Sequence, residues 1–274
     1  MPSTAISAAS TSGRGADVIG GGCTPPLSPL GGIAPGVIFT EGAFRGTPYH
    51  LVRVDRDKAR VSPHPYLTSR DEGETVSRID RFTGSVASVN GTFFDTARPG
   101  RVIYGDVKTE STSRPCTLGK MRTYWAVTPD GTHEMHETER FGTDRQGNPL
   151  YRITPAQFSS YRYIIGGGGR LVSDGRKASV GAGVNDEQFQ PDVLARRNRS
   201  AIGYAADGAT FWMVSCDEPG WTPQETADFF MSLGARDAMM LDGGGSTEMV
   251  VGDRIVTSLS AGAERPMPTA ITLI

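Results

Sequence analysis

The sequence predicts a single α+β domain in which a mixed, strand-rich sheet packs with a few helices. Its 274 residues include 35 Gly and 18 Pro, a composition typical of many short strands joined by tight turns. Short apolar or alternating segments recur between Asp-Gly pairs, and the long heptad-patterned runs of a helical bundle are missing. With 37% hydrophobic residues, the chain can bury a substantial core without requiring a second domain.

The first 36 residues differ in composition from the rest of the chain. They are rich in Ser, Ala, Gly, Thr and Pro, so they bury too little apolar surface to offset the entropy cost of ordering. We therefore predict a flexible N-terminal arm over residues 1–36 and a compact domain over residues 37–274. No basic segment followed by an apolar one opens the chain, and no later run is long enough to span a bilayer. This predicts no secretion signal and no membrane partner.

One helix is specified at both of its ends. Thr222 is placed as the N-cap, a proline follows it, Glu225 completes a capping box, and Gly234 comes after the last turn. These signals predict a helix over residues 223–233 that leads into a short apolar strand.

Shorter elements follow from spacing and turn chemistry. Apolar residues at three-residue steps predict a helix over residues 72–82, and a second cap-then-proline pattern begins at Thr154. A buried strand is predicted over residues 86–90. Hairpin turns are predicted at the Asp-Gly pairs that begin at Asp130, Asp174 and Asp207.

The net charge indicates which partners the protein can attract, and the cysteine spacing indicates its location. The chain has 28 Lys and Arg against 30 Asp and Glu, a formal net charge of −2, so no global field attracts nucleic acid. Cys23, Cys116 and Cys216 show neither CxxC nor metal-finger spacing and are interpreted as reduced thiols, which favours a cytoplasmic location.

A glycine-rich segment after a strand is the first candidate site. Asp242 is followed by Gly243, Gly244 and Gly245, and Ser246 closes the segment. Glycines allow positive φ and close approach of the backbone to a ligand, and their N–H groups can converge on an anion. A glycine-rich turn is the structural alternative, but three glycines between Asp and Ser favour a binding site.

Further candidates lie at the ends of other apolar strands. Gly166 and Gly167 precede Arg170, whose guanidinium suits a phosphate or carboxylate, although neither a P-loop nor a dinucleotide fingerprint is present. Asn90 offers an amide to a sugar hydroxyl or phosphate, with a simple Asn-Gly turn as the alternative. Arg199 stands at a strand entrance, either facing inward or solvating the surface.

Six segments in order resemble the phosphodiester glycosidases. They are VNGTFFD, IGGGGRLVSDG, RSAIGYAADG, WTPQETADFFMSLGARDAMM, LDGGGSTEMVV and RPMPTAITLI, and together they span much of residues 86–274. The resemblance implies that residues 37–274 form a catalytic domain that hydrolyses the bond between an anomeric carbon and a phosphodiester oxygen. The implied partner is a small-molecule sugar phosphate.

The resemblance also implies which residues form the site. Asn90 and Gly91 match an asparagine-glycine-aromatic motif of the family. Arg199 matches an arginine that precedes a strand, and Asp217 matches an aspartate that follows another strand. Thr92 replaces a common glycine, Glu248 stands where Ser or Thr is usual, and the asparagine expected near Thr257 is missing.

Two carboxyl groups usually assist glycosyl transfer to water. Asp242 and Asp217 are the first catalytic pair, and Glu248 is the reserve, with an exposed strand residue as its alternative interpretation. The predicted substrate-binding residues are Asn90, Gly91, Gly166, Gly167, Arg170, Arg199, Gly243, Gly244, Gly245, Ser246 and Thr247.

No cofactor or metal is predicted. His133 and His136 are separated by an odd spacing that points them to opposite faces of a strand, and both are interpreted as surface residues. His50 and His64 show no ligand pattern, and a Ca²⁺ held by Asp and carbonyl oxygens has no supporting motif. Two other functions stay open: a non-catalytic glycan- or phosphate-binding module, and a lyase or transferase acting on a glycosyl-phosphate intermediate.

Overall fold

The computed structural model describes residues 28–98, 102–114, 123–178, 191–260 and 262–274. The strands in these ranges are β1 Ser28–Ala34, β2 Val37–Phe44, β3 Thr47–Asp55, β4 Pro63–Leu67, β5 Ala87–Asn90, β6 Val107–Lys108, β7 Ser113–Arg114, β8 Thr123–Val127, β9 His133–Glu137, β10 Glu139–Thr143, β11 Pro149–Arg152, β12 Tyr163–Ser173, β13 Arg176–Lys177, β14 Arg197–Ala205, β15 Thr210–Trp221, β16 Ala235–Met240, β17 Met249–Val251, β18 Arg254–Ile255 and β19 Thr269–Leu273. The α-helices are α1 Val76–Thr83, α2 Pro155–Ser160 and α3 Pro223–Ser232.

The strands divide between two principal sheets. The larger follows the order β1-β2-β3-β15-β14-β16-β12-β6-β7, with β8 and β13 also pairing with β12 and β9 pairing with β8. The smaller follows the order β18-β17-β5-β19-β4, and β10 and β11 form a separate hairpin. The strand-rich prediction is confirmed.

The predicted mixed sheet is wrong for the described strands, because every pair among them is antiparallel. Tight turns join many successive strands, and such turns reverse the chain direction. The turns at Asp130, Asp174 and Asp207 connect β8 to β9, β12 to β13 and β14 to β15, which confirms the three predicted hairpins.

The core lies on both faces of the larger sheet. On one face Ile202, Met213 and Met239 pack with Val89 and Ile271 of the smaller sheet. On the other face the alternate residues of the same strands pack against α3; they include Ala201, Val214 and Met240, together with Phe229 and Phe230 of the helix. The period of two along each strand therefore separates one sheet face from the other.

The helix ends follow the predicted capping chemistry. The Thr222 hydroxyl accepts a hydrogen bond from Glu225 N at 3.2 Å, and the Glu225 carboxylate accepts one from Thr222 N at 2.8 Å. Gly234 follows α3 with a φ of +77°. The helix predicted over residues 72–82 begins only at Val76, because Thr75 caps it and Glu74 bridges Met267 in an extended conformation.

The structured part of the chain begins before the predicted domain boundary. β1 pairs with β2, so the prediction of a flexible arm is wrong for residues 28–34, because their backbone completes an edge of the larger sheet. The rest of the predicted arm lies outside the described residues, as do Cys23 and Cys116. Among the helices described, none is both long and apolar enough to cross a membrane.

Candidate active site

The segment that follows β16 connects the two sheets at one end of their strands. Leu241 N donates to Ser200 O of β14 at 2.9 Å, and Asp242 N donates to Gly91 O, just beyond β5, at 3.0 Å. A 3₁₀ turn over Gly244–Ser246 follows. The predicted glycine-rich segment is thus a short turn fixed to both sheets, and residues 242–246 are called the DGGGS turn below.

Two glycines of the DGGGS turn allow close packing that a side chain would prevent. A Cβ at Gly243 would lie 2.9 Å from Asn198 O, and one at Gly245 would lie 2.7 Å from Arg265 Nη2. Gly244 has a φ of +60°, in the left-handed region. The N–H groups of Gly244 and Gly245 have no hydrogen-bond partner among the described residues, so both are available to an anion.

Asp242 carries the carboxyl group of this turn. Its Oδ1 accepts a hydrogen bond from Gly243 N at 2.9 Å, and the Ser246 side chain lies near the carboxyl group. Burial raises the pKa of Asp242 to about 6, while these contacts and the charge of Arg265 act in the opposite direction. The side chain stays partly exposed, so it can meet a ligand.

Arg265 lies directly over the turn, and it was not among the residues predicted to bind substrate. Its Nη1 donates to Ser246 Oγ at 3.0 Å, and its Nη2 covers Gly245. The residue belongs to the RPMPTAITLI segment that carries part of the family resemblance, and this was the available signal. A guanidinium beside two N–H groups that lack a partner among the described residues is an arrangement that can bind an anion.

Asn90 is buried beneath the turn, where its amide is used within the protein. Its Nδ2 donates to Asp242 O at 2.7 Å, and its Oδ1 accepts from Ser200 Oγ at 2.5 Å and from Glu248 N at 3.2 Å. The structure therefore places Asn90 at the site as a support for the turn, with both amide atoms already bonded.

Three predicted glycines lie in tightly packed backbone rather than in an open loop. A Cβ at Gly91 would overlap the Thr269 side chain, one at Gly166 would lie 2.6 Å from Gly105 Cα, and one at Gly167 would overlap Met240 O. Gly166 and Gly167 are buried within β12. Both therefore serve the packing of the strands that lead to the turn.

Arg199 is buried beneath Gly243, and its guanidinium is directed at backbone carbonyls. Nε donates to Trp221 O at 2.9 Å, and Nη2 donates to Val193 O at 2.6 Å and Ala195 O at 2.5 Å. The side chain faces inward, as one of the two predicted alternatives requires. Its described contacts hold the end of β15 and the segment before β14.

Arg170 is not brought to the DGGGS turn. Its Nη2 forms an ion pair with Asp237 Oδ1, and its Nε donates to Val172 O at 3.3 Å. Asp237 lies near the start of β16, whereas the turn follows the end of that strand. The predicted substrate contact of Arg170 does not fit this placement, because the partly buried ion pair already uses the guanidinium.

Asp217 lies on β15, two strands away from β16, at the same end of these strands as Asp242. That separation corresponds to about 10 Å between strand backbones. Its carboxylate accepts from Ser258 N at 2.8 Å and contacts His50 Nε2 at 3.1 Å. Burial acts to raise the pKa of Asp217, but the hydrogen bonds from His50 and Ser258 lower it below its usual value. His50 in turn contacts Glu41 at 3.2 Å, a connection that the sequence did not reveal.

Glu248 is 1% exposed, so its interpretation as an exposed strand residue is wrong. It precedes β17, and its carboxyl group lies within reach of the Glu264 side chain. Neither oxygen has a partner of full hydrogen-bond geometry among the described residues. Burial and the neighbouring Glu264 raise the pKa of Glu248 to about 9, so the group is neutral at neutral pH.

Other buried polar atoms around the turn also lack partners among the described residues. They include Thr247 Oγ1, Asn198 Oδ1 and Thr92 Oγ1. Buried polar groups are normally satisfied, so each of these atoms could accept a bond from a water molecule or a ligand.

No group of three or more His, Cys, Asp or Glu residues in the described ranges could hold a metal ion. The surface interpretation of His133 is wrong, because it is 7% exposed and packs edge-on against Trp125 and Phe211. Burial lowers the pKa of His133 to about 3, so it is a neutral core residue.

The sequence model of the phosphodiester glycosidase family matches residues 83–274, which include the DGGGS turn, Asn90, Arg199 and Arg265. The chain therefore belongs to this family of hydrolases. It is also 31% identical over 87 residues to the SPbeta prophage-derived uncharacterized protein YomE of Bacillus subtilis (strain 168). That match covers 30% of this chain and 13% of the relative, so the chain matches only a small part of a longer protein.

Two solved structures show the same fold at low sequence identity. The zebrafish N-acetylglucosamine-1-phosphodiester alpha-N-acetylglucosaminidase catalytic domain, auto-inhibited by its pro-peptide, matches with a TM-score of 0.65 and 15% identity over 86% of this chain and 81% of that one. A hypothetical protein from Synechocystis matches with a TM-score of 0.64 and 17% identity over 87% of this chain and 62% of that one.

Proposed function

We propose that this protein hydrolyses a glycosyl phosphodiester at the bond between the anomeric carbon and the phosphodiester oxygen. Water supplies the new hydroxyl of the sugar, and the bridging oxygen leaves with the phosphate, so the products are a free sugar and a phosphomonoester. The observation that carries the proposal is the placement of a partly exposed carboxyl group, Asp242, beside the Arg265 guanidinium and two unpartnered N–H groups.

Asp242 is assigned the chemistry at the anomeric carbon. With a pKa of about 6 it is mostly ionised at neutral pH, as a general base or a nucleophile requires. The hydrogen bond from Gly243 N orients one of its oxygens. Asp217 is assigned as the second carboxylate, at the same end of the strands. It is held by its contacts with Ser258 and His50.

The phosphate is assigned to Arg265 and to the N–H groups of Gly244 and Gly245. A phosphate monoester is a good leaving group, so stabilisation of its charge matters more than its protonation. A guanidinium and preorganised N–H groups supply that stabilisation without solvent reorganisation.

The test is turnover of a panel of glycosyl-1-phosphodiesters by the purified chain, with free sugar as the readout. We expect Asp242→Asn to lower turnover by about 10³-fold or more, since one group carries the proton transfer or attack. Asp144→Asn, at a carboxylate in a surface turn, is the matched control. Unchanged turnover in Asp242→Asn would remove Asp242 from the mechanism.

Two further measurements separate the alternative functions. Hydrolysis in ¹⁸O-labelled water must place the label in the sugar, whereas a lyase or transferase product would lack it. Tight calorimetric binding of a glycosyl phosphate without any turnover would favour a non-catalytic binding module.

A further inference from the structure

Three titratable side chains form a row across the larger sheet, and the row ends at Asp217. Glu41 on β2 pairs with His50 on β3. His50 also pairs with Ser215 on β15, and Asp217 lies two positions further along that strand. Alternate residues of a strand face the same side, so the three side chains project from one face of the sheet. This face carries the smaller sheet, because Ser215 Oγ donates to Met249 Sδ of β17 at 3.8 Å.

His50 contacts a carboxylate with each of its two ring nitrogens. Nε2 lies 3.1 Å from Asp217 Oδ2, and Nδ1 lies 3.2 Å from Glu41 Oε1. A neutral imidazole has one N–H group and one lone pair, so only the doubly protonated ring can donate to both carboxylates. The His50 side chain is 8% exposed, whereas that of Glu41 is 40% exposed. The row therefore places a buried imidazolium between Asp217 and a carboxylate at the surface.

The remaining hydrogen bonds of the Asp217 carboxylate come from Ser258. Ser258 N donates to Oδ1 at 2.8 Å, and Ser258 Oγ donates to Oδ2 at 3.2 Å. Each of these groups donates, as His50 does, so each favours the ionised carboxylate over the protonated one. Without His50, the effect of burial on Asp217 would be opposed by Ser258 alone.

The neighbouring elements bring other groups to this end of the sheet. On β14, the Arg199 guanidinium donates to backbone carbonyls, and Arg197 is exposed. On β2, Phe39 stacks on the His50 ring with 6.4 Å between the ring centroids and 10° between the planes. His50 is thus the cation that hydrogen-bonds to Asp217 in the part of the chain that the structure describes.

We propose that His50 is a positioning residue: as an imidazolium anchored by Glu41, it keeps Asp217 ionised and holds its carboxylate in place. This inference rests on the proposed function for the role of Asp217 as the second carboxylate. An ionised Asp217 can stabilise positive charge at the anomeric carbon or accept a proton from water, and a protonated one can do neither. Glu41 and His50 lie outside residues 83–274, so neither belongs to the part of the chain that the family model matches.

The first test follows the ionisation of Asp217 without any turnover. Carbon-13 NMR of protein labelled at the Asp carboxyl groups resolves these groups, and Asp217→Asn identifies the signal of Asp217. We expect Asp217 to titrate below the ordinary range of an aspartate in the wild type and above it in His50→Leu, where burial dominates. His50→Gln donates without a charge and should give an intermediate midpoint. His136→Leu removes an exposed histidine that also contacts a carboxylate, and it should titrate like the wild type.

The second test is the acid limb of the pH profile of kcat/KM for a glycosyl-1-phosphodiester. In the wild type, protonation of Asp242, with its pKa of about 6, should give log(kcat/KM) a slope of about one. In His50→Leu, Asp217 becomes protonated as well, so the slope should steepen toward about two as the pH falls. A purely structural role would lower kcat/KM by the same factor at every pH and leave the slope unchanged.

Three results would overturn the proposal. The first is an equal Asp217 midpoint in the wild type and His50→Leu. The second is a shifted midpoint with an unchanged acid limb, because the charge of Asp217 would then not be needed. The third is an unprotonated ring nitrogen on His50 at pH 7, which nitrogen-15 NMR of the four histidines detects.

Two further outcomes are also decisive. If His50→Leu does not fold, His50→Gln decides the matter, since a midpoint equal to that of the wild type would contradict the imidazolium. Failure of the wild type to release sugar from any phosphodiester, with the titrations as expected, would overturn the hydrolase proposal. The control of the Asp217 charge by His50 would then stand without it.

Discussion

Asp242 keeps its carboxyl group in a partly buried position that favours the protonated form. Its pKa of about 6 in the folded protein lies above its ordinary value, so ionisation destabilises the native state. The protonated carboxyl group of Asp242 therefore stabilises the native state. This stabilisation is complete below about pH 4 and is lost as the pH rises through 6. A group that costs stability in its ionised form is typical of a functional site.

Because ionisation of Asp242 destabilises the folded protein, the variant Asp242→Asn gives a testable prediction. The variant should be more stable than the wild type at pH 7 by about 1 to 3 kcal/mol, and the difference should vanish near pH 3.5. Thermal unfolding as a function of pH measures it. Asp144→Asn should show the opposite sign, because hydrogen bonds from Asn148 lower the pKa of Asp144. Equal pH profiles for Asp242→Asn and the wild type would contradict the raised pKa.

Arg265 gives a second prediction at the residue scale. Arg265→Ala should raise KM for a glycosyl phosphodiester by about 10- to 100-fold, because a charge-assisted contact to the phosphate is lost. Arg265→Lys should recover only part of the affinity, since an ammonium cannot bond Ser246 and a phosphate in the same fork. Steady-state kinetics measures both, with the exposed Arg145→Ala as control. An unaltered KM in Arg265→Ala would place the phosphate elsewhere.

At the scale of elements, the site depends on how closely β12 approaches its neighbours. Gly166 faces the Gly105 backbone, and Gly167 faces the carbonyl of Met240 at the end of β16. The glycine cluster that looks like a ligand loop in the sequence is therefore a strand with minimal side chains. Its contribution to the site is to let β16 deliver the DGGGS turn at the correct position.

A matched pair of substitutions tests this packing role. Gly166→Ala should lower the free energy of unfolding by about 1 to 3 kcal/mol or more, because its Cβ would lie 2.6 Å from Gly105 Cα. Gly142→Ala in β10 has no heavy atom within 4 Å of the added Cβ and should change stability little. Chemical denaturation gives both values. Similar stability for the two variants would argue against close packing at Gly166.

At the scale of the whole molecule, Asn90 joins the two sheets beneath the site. It ends β5 of the smaller sheet, and it bonds to Ser200 of β14 and to the carbonyl of Asp242 beyond β16. Both sheets therefore converge on one buried amide, and the position of the DGGGS turn depends on their packing.

Asn90→Ala should accordingly reduce both stability and activity. Removing the amide leaves the Glu248 N–H and the Asp242 carbonyl without their partner, which should cost about 2 to 4 kcal/mol. Denaturant unfolding and turnover should fall together. Asn148→Ala, at an exposed turn, controls for the loss of an amide. Reduced activity with unchanged stability would instead indicate direct contact of Asn90 with substrate.

The sequence by itself determined the local features of this protein. The caps of α3, the three Asp-Gly hairpins, the abundance of strands and the DGGGS turn all depend on neighbouring residues, whose conformational preferences act over a few positions. The antiparallel pairing of the described strands was not predicted, because apolar spacing identifies a strand but not the direction of its partner.

Only the tertiary structure decided which charged groups meet. Arg265 contacts Ser246 of the turn from 19 positions further along the chain, and His50 contacts Asp217 across 167 positions. Arg170 forms an ion pair with Asp237. The fold likewise buries Glu248, which is 1% exposed although its position in the sequence also allowed an exposed strand residue. Ionisation depends on burial and on the charges within a few ångströms, and both are set by contacts that no local pattern encodes.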